Sequence, residues 1–157
     1  MMPEERVLYS LENIYDMLEH MSDVYLKAYG GDLLDLFKNA GLALFDTMTD
    51  IKKIKGKIIR SIAVDGYDLE NLLYKWLEGL LFIYYSERLV CGNIDIHKLV
   101  IEKFNGETRY VIEGSARCDE FDPSYHEPRI EVKAATYSLM KIIKTEDKWI
   151  AYFVLDI

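Results

Sequence analysis

The sequence predicts an α+β fold in which two helices pack on one face of a mainly antiparallel sheet. Two segments carry apolar residues at helical spacing, and most of the rest alternates between apolar and polar residues as strands do. An Asn-Gly pair at 105–106 separates two alternating runs, which is a strong signal for an antiparallel hairpin. Helices and antiparallel strands of this kind combine as layers around one core.

The first elements lie between Tyr15 and Thr49. Tyr15–Tyr29 is predicted to be extended, with a polar interruption at His20–Asp23. Gly30-Gly31 predicts a turn, and Asp32 is a suitable N-cap for the first helix, which is predicted to run to about Thr49. The apolar residues at helical spacing are Leu33, Phe37, Ala40, Leu44 and Met48.

The middle of the chain predicts a strand followed by a second helix. Lys57–Val64 alternates with apolar residues on much of both faces, which indicates a strand. Asp68 is the predicted N-cap of the second helix, and Glu70 lies in its first turn. The broad apolar stripe of this helix, which is typical of a core, consists of Leu72, Leu73, Trp76, Leu77, Leu80 and Leu81.

The remainder of the chain is predicted to be β. Ile94–Phe104 and the alternating run from Tyr110 to Cys118 form the predicted hairpin. Asp119–Pro128 is a polar loop, and Glu131–Lys144 and Trp149–Ile157 are predicted as the last two strands. With no linker, repeat or low-complexity tract, residues 15–157 are expected to form a single domain.

Composition excludes several classes of protein. The formal charge of −8 argues against an autonomous nucleic-acid binder, whose affinity comes mainly from lysine and arginine contacts to phosphates. No signal peptide or membrane-spanning segment is predicted, so we expect a cytoplasmic protein with no membrane partner. Cys91 and Cys118 have no zinc-binding spacing, and we expect them to be buried, reduced thiols.

The chain terminus is a candidate metal site. The alternation from Trp149 reaches almost to Ile157, which indicates an ordered terminus where Asp156 and the terminal carboxylate lie close together. Two carboxylates held together need a cation or a proton. If Asp23 joined them, three oxygen donors would favour Ca²⁺ or Mg²⁺ over zinc. The alternative is that His20–Asp23 is a solvated bulge.

Two other polar segments are weaker candidates. Asp119, Glu120, Asp122, His126 and Glu127 crowd ionisable groups into one loop, which suits metal binding or acid-base chemistry but equally a solvated loop. The single basic run could contact phosphate or an acidic partner, or lie on a solvated strand edge; it consists of Lys52, Lys53, Lys55, Lys57 and Arg60.

Several short motifs follow one another along the chain: His20-Met21-Ser22-Asp23, Ala28-Tyr29-Gly30, Ala43-Leu44-Phe45, Met48-Thr49-Asp50, Phe121-Asp122-Pro123, His126-Glu127-Pro128, Glu131-Val132-Lys133-Ala134 and Val154-Leu155-Asp156-Ile157. Their order and spacing resemble those of the archease family, small proteins known as activators of the GTP-dependent tRNA-splicing ligase. The resemblance spans nearly the whole chain. Met1 to Ile14 extends beyond the usual start of the family and is interpreted as an N-terminal extension, residues 1–14.

The resemblance implies a fold, a site and a partner. The fold would be a strand-helix-strand-strand module with extra strands. The site would be a calcium-type centre formed by Asp23, Asp156 and the carboxylate of Ile157, with Mg²⁺ as the alternative ion. Lys133, and with it His20, would contribute to ligase activation. The partner would be the tRNA-splicing RNA ligase, and the protein itself would be a cofactor protein without catalytic residues.

Two alternative functions stay open. The family is also associated with a chaperone or specificity-modulating role toward a tRNA methyltransferase. A metal-dependent phosphohydrolase using Asp119, Asp122 and His126 is the second alternative.

Overall fold

Two α-helices and nine strands are present in residues 5–157, the part of the chain that the computed structural model describes. A short 3-10 helix, Ile51–Lys53, follows the first α-helix. In chain order the elements are β1 (Val7–Leu11), β2 (Tyr15–Leu18), β3 (Val24–Gly30), α1 (Leu33–Met48), β4 (Ile58–Gly66), α2 (Leu69–Glu87), β5 (Leu89–Phe104), β6 (Glu107–Glu120), β7 (Ala134–Ala135), β8 (Lys141–Lys144) and β9 (Trp149–Asp156).

Both helices begin at the predicted caps. The Asp32 carboxylate accepts the backbone N–H of Asp35 at 2.8 Å, and the Asp68 carboxylate accepts that of Asn71 at 2.7 Å. Each aspartate thereby satisfies a donor that the first helical turn leaves without an intrahelical partner. Neither helix is long and apolar enough to cross a membrane.

The strands form two antiparallel sheets. The terminal sheet has the order β1-β2-β3-β9, with β7 and β8 both paired to the other edge of β9. The hairpin sheet has the order β4-β6-β5, and its long β5–β6 hairpin turns at Asn105-Gly106 as predicted. Both residues of this turn have positive φ, which is the conformation that favours Asn-Gly at such positions.

The helices contact both sheets. α1 packs against β3 of the terminal sheet and β5 of the hairpin sheet, and twelve of its sixteen residues are buried. α2 packs against β4 and also contacts β7 and β8. The α+β class with two helices and antiparallel strands is therefore confirmed, but the strands divide into two sheets where a single sheet was expected. Alternation shows which side chains are buried and does not show which strands pair.

The predicted strand over Glu131–Lys144 is wrong as a single element. It contains β7 and β8, separated by residues without strand pairing that include Leu139 at φ 55°. Val132 and Ala135 are both buried although they lie three positions apart, so the segment does not keep one face toward the core. Short apolar runs of this kind carry too little periodicity to reveal the break.

The prediction of reduced thiols is also wrong. Cys91 and Cys118 lie opposite each other in the β5–β6 ladder and form a disulfide, and both are fully buried. They lie 27 positions apart in sequence, and only the register of the hairpin brings them together.

Part of the predicted N-terminal extension joins the terminal sheet. Within residues 1–14, β1 pairs with β2 along Val7–Leu11, and residues 1–4 lie outside the described part of the chain.

Candidate metal centre at the chain terminus

Pairing of β3 with β9 brings two of the predicted ligands, Asp23 and Asp156, to the same end of these two strands. This end of the terminal sheet, with the Ile157 carboxylate, is the acidic edge. Val24 pairs with Leu155 at the end of this ladder. Asp23 and Asp156 are the next residues outward on their respective strands and therefore stand opposite each other. Val24 and Leu155 are buried, so alternation directs the two aspartates to the face of the sheet that points away from the helices.

β7 holds the last residues from the other side. Ala134 pairs with Asp156, and the backbone N–H of Lys133 donates to the Asp156 carbonyl at 2.7 Å. Thr136 adds two hydrogen bonds to the Val154 carbonyl, at 3.2 Å from its N–H and 2.8 Å from its Oγ1. The chain terminus is thus fixed between two strands, and the main chain at Lys133 lies next to Asp156.

His20 lies beside the first aspartate, in the connection between β2 and β3. Its Nδ1 is 3.9 Å from the Asp23 carboxylate, and both side chains are about one-third exposed. The imidazole meets the ring of Tyr25 edge to face at 5.6 Å between centroids. The polar residues at His20–Asp23 are therefore the loop of an antiparallel strand pair, which turns Asp23 toward the chain terminus.

The donor chemistry of this edge fits a hard divalent cation. Asp23, Asp156 and the terminal carboxylate of Ile157 supply oxygen atoms only, which Ca²⁺ and Mg²⁺ prefer. Two carboxylates about 4 Å apart repel each other by about 4 kcal/mol at an effective dielectric of 20. Within residues 5–157, no three His, Cys, Asp or Glu side chains form a metal-ligand group, and the predicted set contains two such side chains together with the main-chain terminus.

A lysine on the same face of the sheet is already committed to another carboxylate. Lys27 Nζ lies 2.8 Å from Glu5, which also accepts the phenol of Tyr152 at 2.6 Å. The hydrogen bond from Lys27 is the main reason that the pKa of Glu5 falls below its usual value. Lys27 therefore belongs to this local network, and Lys133 is the cationic residue that the main chain holds next to Asp156.

The second predicted cluster has a structural role in this geometry. The Asp119 carboxylate accepts the backbone N–H groups of Lys55 and Gly56 at 2.8 Å each, and lies 3.1 Å from His126 Nε2. Nδ1 of His126 accepts the N–H of Asp122 at 2.9 Å, so Nε2 carries the hydrogen and donates a hydrogen bond to Asp119. Both ring nitrogens of this buried histidine are thus used within the chain, which argues against the phosphohydrolase alternative.

The Asp122 carboxylate also forms its hydrogen bonds within its own loop. It accepts the N–H and the hydroxyl of Ser124, at 2.9 and 2.6 Å. These bonds hold the pKa of Asp122 below its usual value. A carboxylate stabilised in its ionised form by an adjacent turn residue is a loop-stabilising group.

The residues of the predicted basic run lie in different local environments. Lys52 and Lys53 lie on the 3-10 helix, and Lys55 places its ammonium over the ring of Tyr125 at 5.1 Å. Arg60 makes a 2.6 Å ion pair with Glu87 at the end of α2. The run therefore does not present one continuous cationic surface.

Sequence reasoning missed a buried ion pair. Asp46 is 1% exposed and lies on α1, where its carboxylate accepts the Tyr15 phenol at 2.9 Å and lies 3.3 Å from Arg129 Nη1. Burial is the main cause of the raised pKa of Tyr15, and the Asp46 charge adds to it. Asp46 lies on the side of α1 opposite the predicted apolar stripe, so helical periodicity gave no signal that this carboxylate is buried with a partner.

The fold and the site define a small α+β protein with two antiparallel sheets and two helices, in which Asp23 stands opposite Asp156 at the paired chain terminus. Comparison with known proteins narrows this class. The model of the Archease protein family matches residues 15–157, and the chain belongs to this family.

Individual relatives and one solved structure agree with this assignment. The chain is 42% identical to the protein archease of Sulfurisphaera tokodaii over 147 residues, covering 91% of this chain and 98% of that one. It is 42% identical to the protein archease of Pyrococcus furiosus over 144 residues, with the same coverage. The solution structure of Methanobacterium thermoautotrophicum protein 1598 matches with a TM-score of 0.73 at 31% identity, covering 92% of this chain and 99% of that chain.

Proposed function

We propose that this protein is a non-catalytic partner of the cytoplasmic GTP-dependent tRNA-splicing RNA ligase, which it activates for guanylylation and repeated turnover. Membership of the archease family supports this role. The observation that carries the proposal is the position of Asp156, which stands opposite Asp23 and whose carbonyl binds the N–H of Lys133. Three of the residues implied by the family resemblance thus meet at one edge of the terminal sheet.

In this proposal the acidic edge holds a divalent cation. Asp23, Asp156 and the Ile157 carboxylate would hold Ca²⁺, with Mg²⁺ as the second choice. The ion would supply positive charge at an acidic surface, a charge that phosphate oxygens of a nucleotide or RNA end can bind. The chain itself contributes a fixed terminus, because β3 and β7 secure β9 from both sides.

Lys133 and His20 flank the proposed ion. The Lys133 side chain is exposed, which leaves its ammonium free to reach a phosphate or carboxylate of the ligase complex. His20 lies beside Asp23, with Nδ1 3.9 Å from its carboxylate, and its ring packs edge to face against Tyr25. These two residues are therefore assigned to activation.

The net charge suits work on RNA through a partner. At −8 the protein is repelled by free RNA and steered toward a basic protein surface such as an RNA-binding cleft. No direct nucleic-acid contact is included in the proposal.

Multiple-turnover RNA ligation by the cognate ligase, with and without this protein, tests the proposal. We expect added protein to raise turnover, and expect Asp156→Ala and Lys133→Ala to lose at least about tenfold of that stimulation. Asp95→Ala and Lys98→Ala are matched controls, because both residues lie on β5 in the other sheet. Ligation that does not respond to the wild-type protein would overturn the proposal.

Two further assays distinguish the alternatives. Phosphodiester and phosphomonoester hydrolysis by this protein alone, abolished by His126→Ala, would support the phosphohydrolase function. A change in the site that a tRNA methyltransferase modifies, without any effect on ligation, would support the modulator role.

A further inference from the structure

One edge of the hairpin sheet is open. β4 pairs with β6 through an unbroken register from Ile58 to Gly66, and none of the strands in the described residues pairs with its other edge. A strand of nine residues in this position presents backbone N–H and C=O groups that can pair with a further strand. β4 contains no proline, and three of its residues, Ile59, Ser61 and Ala63, are exposed on the outer face of the sheet.

The alternation of backbone groups along β4 shows which residues face the open edge. Arg60 Nη1 donates to the carbonyl of Ile59 at 3.0 Å, so this carbonyl is accessible outside the β4–β6 ladder. Backbone groups of a strand point alternately to its two sides. Ile59, Ser61 and Ala63 therefore direct their N–H and C=O groups outward, and the even-numbered residues bond to β6.

From this arrangement we propose that two copies of this protein associate through antiparallel pairing of their β4 strands. A two-fold axis at Ser61 pairs Ser61 with Ser61 of the second copy, and Ile59 with Ala63. All of these residues have outward backbone groups, so each pair can exchange two hydrogen bonds. The two hairpin sheets then join as one six-stranded sheet.

The charges along β4 favour this pairing over a parallel one. The two-fold axis places Lys57 of one copy opposite Asp65 of the other, on both sides of the axis. Lys57 is exposed, and Asp65 is partly exposed with an ion pair to Arg109 at 2.8 Å. Each end of the paired strands then joins opposite charges, whereas parallel pairing in register would place like charges together.

The exposed side of α2 supplies a second contact. A methyl group added at Gly79 would meet Ile62 and Val64 side chains at 2.7 and 3.6 Å, so α2 runs over β4. Lys75, Glu78 and Phe82 lie on the side of α2 opposite the residues that face α1, such as Trp76. Phe82 is 70% exposed, so its ring is available for a contact beyond the edge of β4.

Pairing of the β4 strands gives Phe82 a partner. The two-fold axis sets the two α2 helices side by side and antiparallel on the same face of the joined sheet. Gly79 lies over Ile62 and Val64, and Glu87 pairs with Arg60, so the axis at Ser61 passes α2 between Gly79 and Glu87. Phe82 lies in this stretch, so Phe82 of each copy packs close to Phe82 of the other.

The acidic edge remains free in this dimer. Asp23 and Asp156 belong to the terminal sheet, and β4 belongs to the hairpin sheet. The proposed association therefore leaves both copies able to present their chain termini to a partner.

Sedimentation equilibrium of the full chain, from micromolar to near-millimolar concentration, tests the dimer. We expect the 18.4 kDa chain to reach twice its mass, and expect Phe82→Asp to weaken association by about tenfold or more. Leu8→Asp is the matched control, because Leu8 is 60% exposed on β1, in the terminal sheet. Wild-type protein that stays at 18.4 kDa throughout would overturn the proposal.

Charge exchange tests the register itself. Lys57→Asp and Asp65→Lys should each weaken the dimer, and the double variant should restore it, because opposite charges again face each other. Far-UV and near-UV circular dichroism establish that each variant is folded. A double variant no tighter than its single parents, or a wild-type dimer unaffected by Phe82→Asp, would assign the association to another surface, such as an extended segment of a partner protein on β4.

Discussion

His126 Nε2 lies 3.1 Å from the Asp119 carboxylate, and this contact joins the polar loop to the end of β6. Asp119 also accepts main-chain N–H groups from Lys55 and Gly56, so one carboxylate fixes two separate segments. Burial of Asp119 raises its pKa, but the hydrogen bonds from Lys55, His126 and Gly56 outweigh this effect and lower the pKa below 3.8.

The lowered pKa of Asp119 predicts a loss of stability in acid. A depressed carboxyl pKa stabilises the folded state above the unfolded value of 3.8, and this contribution disappears as pH falls through the folded value. Urea unfolding measured from pH 7 down to pH 2 should show a smaller acid-dependent loss in Asp119→Asn than in the wild type. Equal acid dependence in both proteins would contradict the assignment.

The Cys91–Cys118 disulfide predicts a stability that depends on redox state. A cross-link that closes a loop of this size stabilises by about 3 kcal/mol, mainly by restricting the unfolded chain. Urea unfolding with a reductant should therefore lose about this amount in the wild type and change little in the double variant Cys91→Ala, Cys118→Ala.

The reactivity of the two cysteines toward external reagents checks the presence of the disulfide. Both sulfurs are fully buried, so exchange with an external thiol requires opening of the hairpin sheet. Thiol titration of the native and the denatured protein should find no free thiol before reduction. Two reactive thiols on unfolding without reductant would refute the cross-link.

The buried pair of Asp46 and Arg129 predicts a large cost when one partner is removed. Arg129→Met leaves the Asp46 charge uncompensated in the interior, which costs about 3 kcal/mol of unfolding free energy. Asp46→Asn together with Arg129→Met should be less destabilising than the sum of the single changes, since the two residues are coupled.

The matched control for that pair is the exposed ion pair between Arg60 and Glu87. Arg60→Met should change the unfolding free energy much less than Arg129→Met, because solvent already screens this pair. Urea unfolding of the four variants, Arg129→Met, Asp46→Asn, their combination and Arg60→Met, at pH 7 measures both effects. Equal losses for the buried and the exposed arginine would mean that Asp46 is compensated by other groups.

The acidic edge predicts calcium binding that depends on the chain terminus. In calorimetric titration with Ca²⁺, Asp23→Ala, Asp156→Ala and a chain extended by Gly-Ser beyond Ile157 should each bind about tenfold more weakly or worse than the wild type, because each loses one carboxylate ligand. Asp95→Ala is the control, since this exposed aspartate lies in the hairpin sheet. Unchanged affinity in all three variants would remove the site.

The sequence pattern predicted some of the proposed metal ligands and not others. The alternation of β9 indicated an ordered terminus, and this prediction agrees with the pairing of β9 up to Asp156. The proximity of Asp23 depended on the family resemblance, because no periodicity links residues that far apart in sequence. The disulfide, the Asp46 pair and the division into two sheets all involve contacts between distant segments, which local patterns do not encode.

By itself, the sequence determined the two helices, their aspartate caps and the hairpin at Asn105-Gly106, because propensity, capping and turn chemistry act over a few residues. The tertiary structure alone decided that Asp23 stands opposite Asp156, that Cys91 meets Cys118 and that β4 ends as an open edge. The physical reason is strand register: pairing is chosen by burial of side chains across the whole core, and a shift of one residue would reverse every face.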